Sequence, residues 1–400
     1  MEIILHIAEL VLVVFLLYLF WPLLLFSFFY TRIRNRISLK SNQLETKHEF
    51  QLIIPAHNEE MYIANLLKSI QNCEYDKSKI HTLVVVDNCT DNTLQIVRNN
   101  NFSFVEKKNL DGSTKSKALS FGFNWLERNN KLNEDSFIII LDADCIIDKM
   151  YFLELSHEIN KSNKKVYQTF RKVHNLNDSA VAALDAGAES IRQWLDLGVR
   201  DCLGLNARIH GSGLVFDLKV FKELLHLENE NITEDKLWNI SLVQKDVDIN
   251  WVPNAHISYF ATEKRDSFYQ QRSRWISGQI EMAKKFGFKL TYKGLINFNL
   301  NQFDLGFSLL LMPRSFLFMI TFIFTFVNYL FPAYFFLPGL IYVVFLLLFF
   351  VLGITGLVIS GSRIHMNEIL ATAFRLILNV FSSTIKYIFG RSISSWGKSR

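Results

Sequence analysis

The chain has 400 residues, half of them hydrophobic, and a formal net charge of +5 at pH 7. This length allows one large domain with additional elements. Most of the mild positive charge flanks apolar segments, so nothing in it indicates a nucleic-acid partner. The four cysteines lie far apart without a Cys-x-x-Cys pair, which is typical of a reduced compartment and argues against a structural zinc site.

The first apolar segment, residues 3–30, exceeds the roughly 20 residues that cross a bilayer. It has neither the basic start nor the small-residue cleavage site of a signal peptide, so we expect a retained anchor. Arg32, Arg34 and Arg36 follow it directly, and positive charge beside a membrane helix marks the cytoplasmic side. We therefore predict a multi-pass protein of the plasma membrane whose central domain is cytosolic.

Between about residues 48 and 300 the chain has the pattern of a globular α/β domain. The stretch "FQLIIPA" predicts a strand, and "NEEMYIANLLKSI" predicts a helix capped by Asn58 with one apolar face. That face comprises Ile63, Leu66, Leu67 and Ile70. Further elements are predicted at 82–86 (strand), from about Asn92 (short helix), 102–106 (strand), 114–127 (helix) and 137–141 (strand). This alternation favours a mostly parallel sheet flanked by helices.

Apolar segments return near the C-terminus, and residues 315–331 and 340–360 are each long enough to cross. Residues 366–388 carry a polar stripe, which favours an amphipathic helix in the membrane interface, although a fourth crossing is the alternative. The stripe comprises Glu368, Thr372, Arg375, Asn379, Ser382 and Lys386. We predict an anchor (1–36), a cytosolic domain (37–300) and a membrane region (301–400).

Acidic residues follow two of the predicted strands. Asp87 ends "LVVV", and "DADC" places Asp142 and Asp144 after "FIIIL". Ligands of open α/β sheets bind at the carboxyl ends of the strands, and residues two apart in an extended segment point the same way. Two converging carboxylates suit Mg²⁺ or Mn²⁺, which bridge to substrate phosphates. The alternative is that each aspartate merely caps a turn.

Five motifs in order, "IPAHNEE", "VVDNCTDNT", "DADC", "TED" and "QRSRW", resemble those of membrane-embedded family 2 glycosyltransferases. That group includes synthases of cellulose, chitin oligomers and hyaluronan, and the resemblance covers about residues 50–280. It implies a GT-A (Rossmann-like) sheet and a sugar-nucleotide donor.

For the donor, the resemblance implies a loop that frames the base, an acid that contacts uridine or ribose, and a metal and diphosphate motif. The loop comprises Pro55, Ala56, Asn58 and Glu59. The acid is Asp87, and the metal and diphosphate motif comprises Asp142 and Asp144. Lys115 of "TKSKAL" stands where relatives carry the diphosphate-contacting lysine, but Thr114 and Ser116 replace the usual glycines. Lys117 is the alternative for this role.

For catalysis, the resemblance implies that Asp235 of "TEDK" is the general base and that Glu234 binds and orients substrate. By itself, Thr-Glu-Asp is also an ordinary helix start. On a helix, Gln271, Arg274 and Trp275 share one face, where the guanidinium suits the diphosphate and the indole suits a sugar. In "HGSGLVF", Gly211, Ser212 and Gly213 correspond to a small-residue motif near the acceptor, or form a simple tight turn.

The function predicted first is a membrane-bound inverting glycosyltransferase that extends a polysaccharide from a UDP-sugar. The alternatives are addition of one sugar to a membrane lipid and, more remotely, a nucleotide-binding membrane protein without catalysis. A dinucleotide enzyme expects Gly-x-Gly-x-x-Gly after the first strand, where "PAHNEE" stands. The expected partners are a UDP-sugar, a polysaccharide or lipid-linked acceptor, the bilayer, and a further copy or an export protein.

Overall fold

The computed structural model describes residues 2–38, 46–108, 114–227 and 234–389. Residue contacts group the chain into two compact units. The sheet unit comprises residues 31–174 and 200–260, and the helical unit comprises 1–30, 175–199 and 261 onward. The boundaries inferred from sequence, at 36 and 300, stay a prediction.

The sheet unit contains an eight-stranded sheet in the order β3-β2-β1-β4-β7-β6-β8-β5. Strands β3, β2, β1 and β4 run parallel, as do β6 and β8, whereas β7 is antiparallel to β4 and β6, and β5 to β8. The α/β fold class is confirmed, and the sheet is mixed. The strands are β1 (Phe50–Ala56), β2 (Ile80–Asp87), β3 (Ser103–Lys107), β4 (Phe137–Ile140), β5 (Cys145–Ile147), β6 (Val166–Val173), β7 (Leu214–Asp217) and β8 (Ile249–Tyr259).

The helices alternate with strands in the first part of the sheet unit and dominate the rest of the chain. Two π-helical segments, Ile191–Leu197 and Ala283–Gly287, continue α6 into α7 and α10 into α11. The α-helices are α1 (Glu2–Ser38), α2 (Ile63–Gln71), α3 (Thr93–Asn99), α4 (Lys115–Arg128), α5 (Tyr151–Ser162), α6 (Ala180–Ser190), α7 (Gly198–Cys202), α8 (Leu218–Leu225), α9 (Glu234–Gln244), α10 (Arg265–Met282), α11 (Phe288–Ile296), α12 (Leu300–Leu310), α13 (Arg314–Leu330), α14 (Gly339–Ser360) and α15 (Met366–Ile388).

Strands β1, β2 and β4 are largely buried on both faces, as their continuous apolar runs predict, whereas β3 is only partly buried. Leu52 and Ile54 belong to the same buried cluster as the apolar face of α2, which is confirmed as predicted. On the other face, α4 approaches so closely that a Cβ on Gly122 would lie 2.5 Å from the Val85 side chain. A side chain at this position would therefore push the helix off the sheet.

One boundary prediction is wrong. Helix α2 begins at Ile63, and its N-cap is Tyr62 rather than Asn58. Asn58 adopts a left-handed backbone conformation (φ 54°), and its side-chain oxygen accepts the backbone N–H of Thr90 at 2.6 Å. A contact with a residue 32 positions away thus replaces the local cap.

The helical unit has its own apolar core, in which α1 contributes Leu16 and Phe20 against Leu195, Tyr342 and Phe345 among others. Among the described helices, α1, α14 and α15 are each long and apolar enough to cross a membrane. Helices α12 and α13, bent by 67° at their junction, would make a fourth span if they act as one. These candidate spans identify a membrane protein. The interfacial placement of residues 366–388 stays a prediction, because α15 also meets the requirements of a span.

The one acid inside the apolar part of α1 is fully satisfied. Glu9 is buried, and its carboxylate accepts the backbone N–H groups of Phe336 and Leu337 at 2.9 and 3.2 Å and the hydroxyl of Tyr342 at 2.6 Å. Ionisable groups in membrane segments are tolerated when they find such partners. Glu9 therefore joins α1 to the turn between α13 and α14.

Candidate active site

The parallel strands bring the predicted donor residues to one edge of the sheet. Pro55 and Ala56 form the carboxyl end of β1, Asp87 is the last residue of β2, and Asp142 lies two residues beyond the end of β4. In the β2–β3 ladder Asp87 pairs with Lys107, the last residue of β3. The order of the strands therefore gathers groups that are far apart in the sequence, at the edge where ligands of such sheets bind.

Asp87 is held by two donors on one of its oxygens. Its Oδ1 atom accepts the Lys107 ammonium at 2.9 Å and the Asn88 amide at 3.0 Å. The Oδ2 atom is buried, and none of the described residues supplies it with a hydrogen bond. Sequence reasoning missed Lys107, although its position at a strand end of the same edge was the available signal.

Two loops after β1 and β2 bind each other. Besides the Asn58–Thr90 contact, the Glu59 N–H donates to Thr93 Oγ1 at 2.7 Å, and the His57 ring lies 2.7 Å from the Asp87 carbonyl. The polar run after "LVVV" therefore has a structural purpose: its side chains order the loop predicted to frame the base. The contribution of Asn58 and Glu59 to donor binding stays a prediction.

Lys115 lies within an acidic cluster. Its Nζ atom is 2.5 Å from Asp142 Oδ1, 2.9 Å from the Gly211 carbonyl oxygen and 4.0 Å from Glu234 Oε1. Burial opposes its charge, but the neighbouring carboxylates outweigh that effect and raise the pKa of Lys115. Lys117 is exposed and lies outside this cluster, and the choice of Lys115 for the diphosphate contact stays a prediction.

The two acids of "TED" begin helix α9 at Glu234; Thr233 lies outside the described residues. Asp235 is fixed by backbone donors, since its Oδ2 accepts the Gly211 N–H at 3.1 Å and its Oδ1 accepts the Lys236 N–H at 2.8 Å. Burial raises the pKa of Glu234 to about 7; the Asp235 carboxylate adds to this shift, and Lys115 opposes it. Near neutral pH Glu234 thus exchanges its proton readily, as catalytic-site acids often do.

The "HGSG" segment is a tight turn beside this cluster. Gly211 and Gly213 have left-handed φ angles of 67° and 75°, and a Cβ on either would lie about 2 Å from a side chain, 2.1 Å from Arg171 and 2.2 Å from Thr169. Glycine is therefore required at both positions.

Ser212, between these glycines, is fully buried. Its hydroxyl accepts the Asp142 N–H at 2.8 Å and lies 3.3 Å from the Cys145 thiol. Burial keeps the pKa of that thiol well above its usual value, so the thiol remains a donor. Ser212 holds the Asp142 turn in place, and acceptor contact by residues 211–213 stays a prediction.

The acids of "DADC" suit a divalent cation. Ala143 and Cys145 are buried whereas Asp142 and Asp144 are partly exposed. The segment is a turn, in which the Cys145 N–H donates to the Asp142 carbonyl at 3.1 Å, rather than the predicted extended segment. The convergence of the two carboxylates on one point stays a prediction. Within the described part of the chain, no three His, Cys, Asp or Glu side chains form a metal-binding group. Two carboxylates are nevertheless what a Mg²⁺-type site needs when substrate phosphates and water supply the other ligands. The donor set therefore fits the predicted cation.

The "QRSRW" residues lie on α10 in the helical unit. Gln271 and Arg274 are half-buried, and the Trp275 side chain is 37% exposed. Arg272, which sequence reasoning left unassigned, binds Asp185 at 2.5 Å and stacks 4.7 Å from the rings of both Phe268 and Trp275. Arg272 thus packs against the Trp275 ring in a cation–π contact. The roles of Gln271, Arg274 and Trp275 toward a ligand stay predictions.

Comparison with known proteins agrees with this geometry. The family described as glycosyltransferase like family 2 matches residues 48–278, which is more than half of the chain. The chain therefore belongs to this family and is a glycosyltransferase.

Two relatives share much of the sequence. The probable glycosyltransferase YdaM of Bacillus subtilis is 26% identical over 297 residues, covering 70% of this chain and 69% of YdaM. The beta-monoglucosyldiacylglycerol synthase of Nostoc sp. is 22% identical over 229 residues, covering 57% of this chain and 48% of the synthase. The chain thus spans about half of the second relative.

Among solved structures, the mannosyltransferase PcManGT of Pyrobaculum calidifontis, in complex with GDP-Man and Mn²⁺, has a TM-score of 0.50. The match covers 95% of this chain and 99% of PcManGT at 11% sequence identity. This likeness concerns the fold, and it supports assignment of the mixed sheet and its flanking helices to the GT-A class.

Proposed function

We propose that this protein is a membrane-bound inverting glycosyltransferase that moves a sugar from a UDP-sugar to the hydroxyl of a growing polysaccharide. The observation that carries the proposal is the cluster of Asp142, Glu234 and Asp235 around Lys115. This cluster lies at the same sheet edge as Asp87, the buried aspartate proposed to contact the base. It suits a donor diphosphate that has a metal on one side and an acceptor hydroxyl on the other.

The donor is expected to lie along this edge. Asp87 has a buried oxygen available for the base or ribose, and the ammonium of Lys115 faces the position of the diphosphate. Asp142 and Asp144 would hold Mg²⁺ or Mn²⁺, which would neutralise the charge that develops on the leaving diphosphate. Lys115 can then exchange Asp142 for a diphosphate oxygen.

Asp235 is the proposed general base. Its oxygens each accept one backbone N–H, so the carboxylate is oriented while a lone pair remains for the acceptor hydroxyl. As that hydroxyl oxygen attacks the anomeric carbon, its proton passes to Asp235 and the bond to the diphosphate breaks. A single displacement of this kind inverts the anomeric configuration. Glu234, protonated in part near neutral pH, can hydrogen-bond a sugar hydroxyl as donor or acceptor.

On the helical unit, Trp275 is the proposed acceptor platform. An indole face carries a sugar by apolar contact, and Arg272 packs against this ring. Gln271 lies one turn before Trp275, and Arg274 lies one turn after Gln271, so the three share a helix face. Gln271 and Arg274 are proposed to bind the donor diphosphate. We place the sheet unit on the cytosolic side because Arg32, Arg34 and Arg36 follow the apolar part of α1.

A membrane lipid is the second candidate acceptor. The relative from Nostoc is named as a synthase of a glycosylated diacylglycerol, and the described chain offers at most four spans by length and composition. A lipid acceptor would receive one sugar and would need no channel.

The test is a donor panel with the purified full chain in Mn²⁺, with membrane lipid present, scored by nucleotide release and product mass. We expect release from a UDP-sugar together with a ladder of product masses. A single added sugar on lipid would favour the second acceptor, and no release from any UDP-sugar would contradict the proposal. Asp235→Asn protein, purified in the same way and assayed with the same lipid, controls for contaminating hydrolases.

A further inference from the structure

The turn that precedes β7, residues 209–213, connects three charged groups of the proposed reaction. The Gly211 N–H donates to Asp235 at 3.1 Å, and the carbonyl oxygen of the same glycine accepts the Lys115 ammonium at 2.9 Å. The neighbouring serine hydroxyl accepts the Asp142 N–H at 2.8 Å. A displacement of this turn would therefore move the proposed base, the lysine and the aspartate relative to one another.

Gln168, on β6, binds this turn with both ends of its side-chain amide. Its Oε1 atom accepts the His210 N–H at 2.8 Å, and its Nε2 atom donates to the Ser212 carbonyl oxygen at 3.2 Å. These two contacts flank Gly211 on either side. Gln168 is fully buried, so water does not readily replace either hydrogen bond when the amide is removed.

Other buried side chains of the sheet unit hold the two ends of the turn. Asn239 binds both backbone groups of the first residue, Ile209, at 3.2 and 2.6 Å. At the other end, Thr169 Oγ1 donates to the Gly213 carbonyl oxygen at 3.0 Å. Gln168 acts between these ends, where one planar amide fixes the peptide groups on both sides of the central glycine.

We propose that Gln168 is a positioning residue for sugar transfer, because it fixes the Gly211 backbone groups that hold Lys115 and Asp235. This inference rests on the proposed function, in which Asp235 takes the acceptor proton and Lys115 binds the donor diphosphate. Reacting groups need close to their productive geometry, and a misplacement of about 1 Å can cost about 100-fold in rate. Without the amide the turn gains freedom, whereas the nucleotide contact proposed for Asp87 remains.

Gln51 provides a matched control in the same sheet. It is also buried, with 3% exposure, and its Nε2 atom donates to the carbonyl oxygens of Leu52 and His81, both at 3.2 Å. It lies near the amino ends of β1 and β2, at the edge of the sheet opposite the proposed active site. Methionine at either glutamine position removes one buried amide from a strand, but only the change at Gln168 should affect the reaction.

The experiment compares Gln168→Met, Gln51→Met and the wild type as purified full chains with Mn²⁺, on the nucleotide sugar and acceptor that the wild type uses. We expect kcat for nucleotide release to fall about 10- to 100-fold in Gln168→Met and to stay within about twofold of wild type in Gln51→Met. The donor KM and the Kd of the nucleoside diphosphate, measured by calorimetry, should stay within about threefold in both. A merely structural role would lower both melting temperatures without separating kcat from KM.

The inference is overturned by a wild-type kcat in Gln168→Met, by an equal loss of kcat in both glutamine variants, or by a loss that appears only in KM. If Gln168→Met does not fold, Gln168→Asn and Gln51→Asn give the same comparison, because the shorter amide does not reach the turn.

Two outcomes separate this inference from the proposed function. A donor other than a UDP-sugar would contradict the proposed function and leave the comparison of the glutamine variants intact. Wild-type rates in Asp235→Asn together with a lower kcat in Gln168→Met would contradict the proposed base but support positioning by Gln168 through Lys115.

Discussion

The ammonium of Lys115 lies 2.5 Å from a carboxylate oxygen of Asp142, the residue proposed to bind both metal and diphosphate. This contact places a positive charge at the position where the proposed donor would bring a metal and a negatively charged diphosphate. The surrounding acids raise the pKa of Lys115, so the lysine is fully charged before the donor arrives. The negative charge of the acidic cluster is therefore partly offset in advance, which reduces the repulsion between its carboxylates.

The first prediction separates the two lysines of "TKSK". Lys115→Met should reduce sugar transfer by about 10²–10³-fold, the usual effect of removing one group that stabilises developing negative charge. Lys117→Met, a matched change in the same turn at an exposed position, should leave transfer within about twofold of wild type. The measurement is initial rates of nucleotide release for both variants; equal loss in both would contradict the assignment to Lys115.

The second prediction concerns the left-handed glycine beside Asp235. Gly211→Ala should lower transfer at least about tenfold and lower the melting temperature, because a Cβ there would lie 2.1 Å from Arg171. Gly204→Ala is the matched control: its φ is 71°, close to the 67° of Gly211, but nothing lies within 4 Å of the added Cβ. The difference between the two variants therefore isolates the steric clash, and similar losses would show that backbone strain alone is responsible.

The third prediction concerns pH and Glu234. Burial raises its pKa from 4.5 to about 7 in the folded protein, so the native state keeps a proton that the unfolded chain releases above about pH 4.5. Stability should therefore fall as pH rises through the window from about 4.5 to 7, and this loss is absent below it. Glu234→Gln should flatten the dependence of melting temperature on pH by several degrees over this window.

The control for this effect is Glu223→Gln, an exposed carboxylate paired with Lys245. Melting curves of the metal-free protein between pH 4.5 and 8 compare the three proteins. The Glu223 variant should show the same dependence of melting temperature on pH as the wild type. If the melting temperature of the Glu234 variant depends on pH as steeply as that of the wild type, Glu234 is not the group that keeps a proton in the folded protein.

The fourth prediction concerns the cation. Chelation of divalent ions should abolish transfer, and Mg²⁺ or Mn²⁺ should restore it. Asp144→Asn should raise the metal concentration needed for half-maximal rate by at least about tenfold, whereas Asp248→Asn, on the exposed side of the Lys164 ion pair, should not change it. Full activity in a chelator would contradict a metal-assisted reaction.

The strands and the buried face of α2 could be predicted because each follows from a local pattern. Apolar runs such as "FQLIIPA" fix a buried strand, and the periodicity of Ile63, Leu66, Leu67 and Ile70 fixes a helix face. The start of α2 could not be predicted, because Asn58 is held by Thr90 from another loop. The antiparallel placement of β7 beside β4 was missed for a similar reason, since a strand pattern carries no direction.

At the site, the motif acids were visible in the sequence but their partners were not. Lys107 meets Asp87 only through the register of the β2–β3 ladder. Asp185, on α6, meets Arg272 of α10 across 87 residues. Sequence spacing identifies residues that share one element, whereas pairs brought together by tertiary packing require the fold.

The measurement that tests the account most directly is UDP release by purified Asp235→Asn protein in the presence of acceptor, Mn²⁺ and the UDP-sugar that the wild type uses. The account predicts a rate about 10²–10⁴-fold lower than wild type, the contribution of a general base, with UDP binding preserved and Asp248→Asn as the active control. Release at the wild-type rate would contradict the role of Asp235 and, with it, the proposed mechanism.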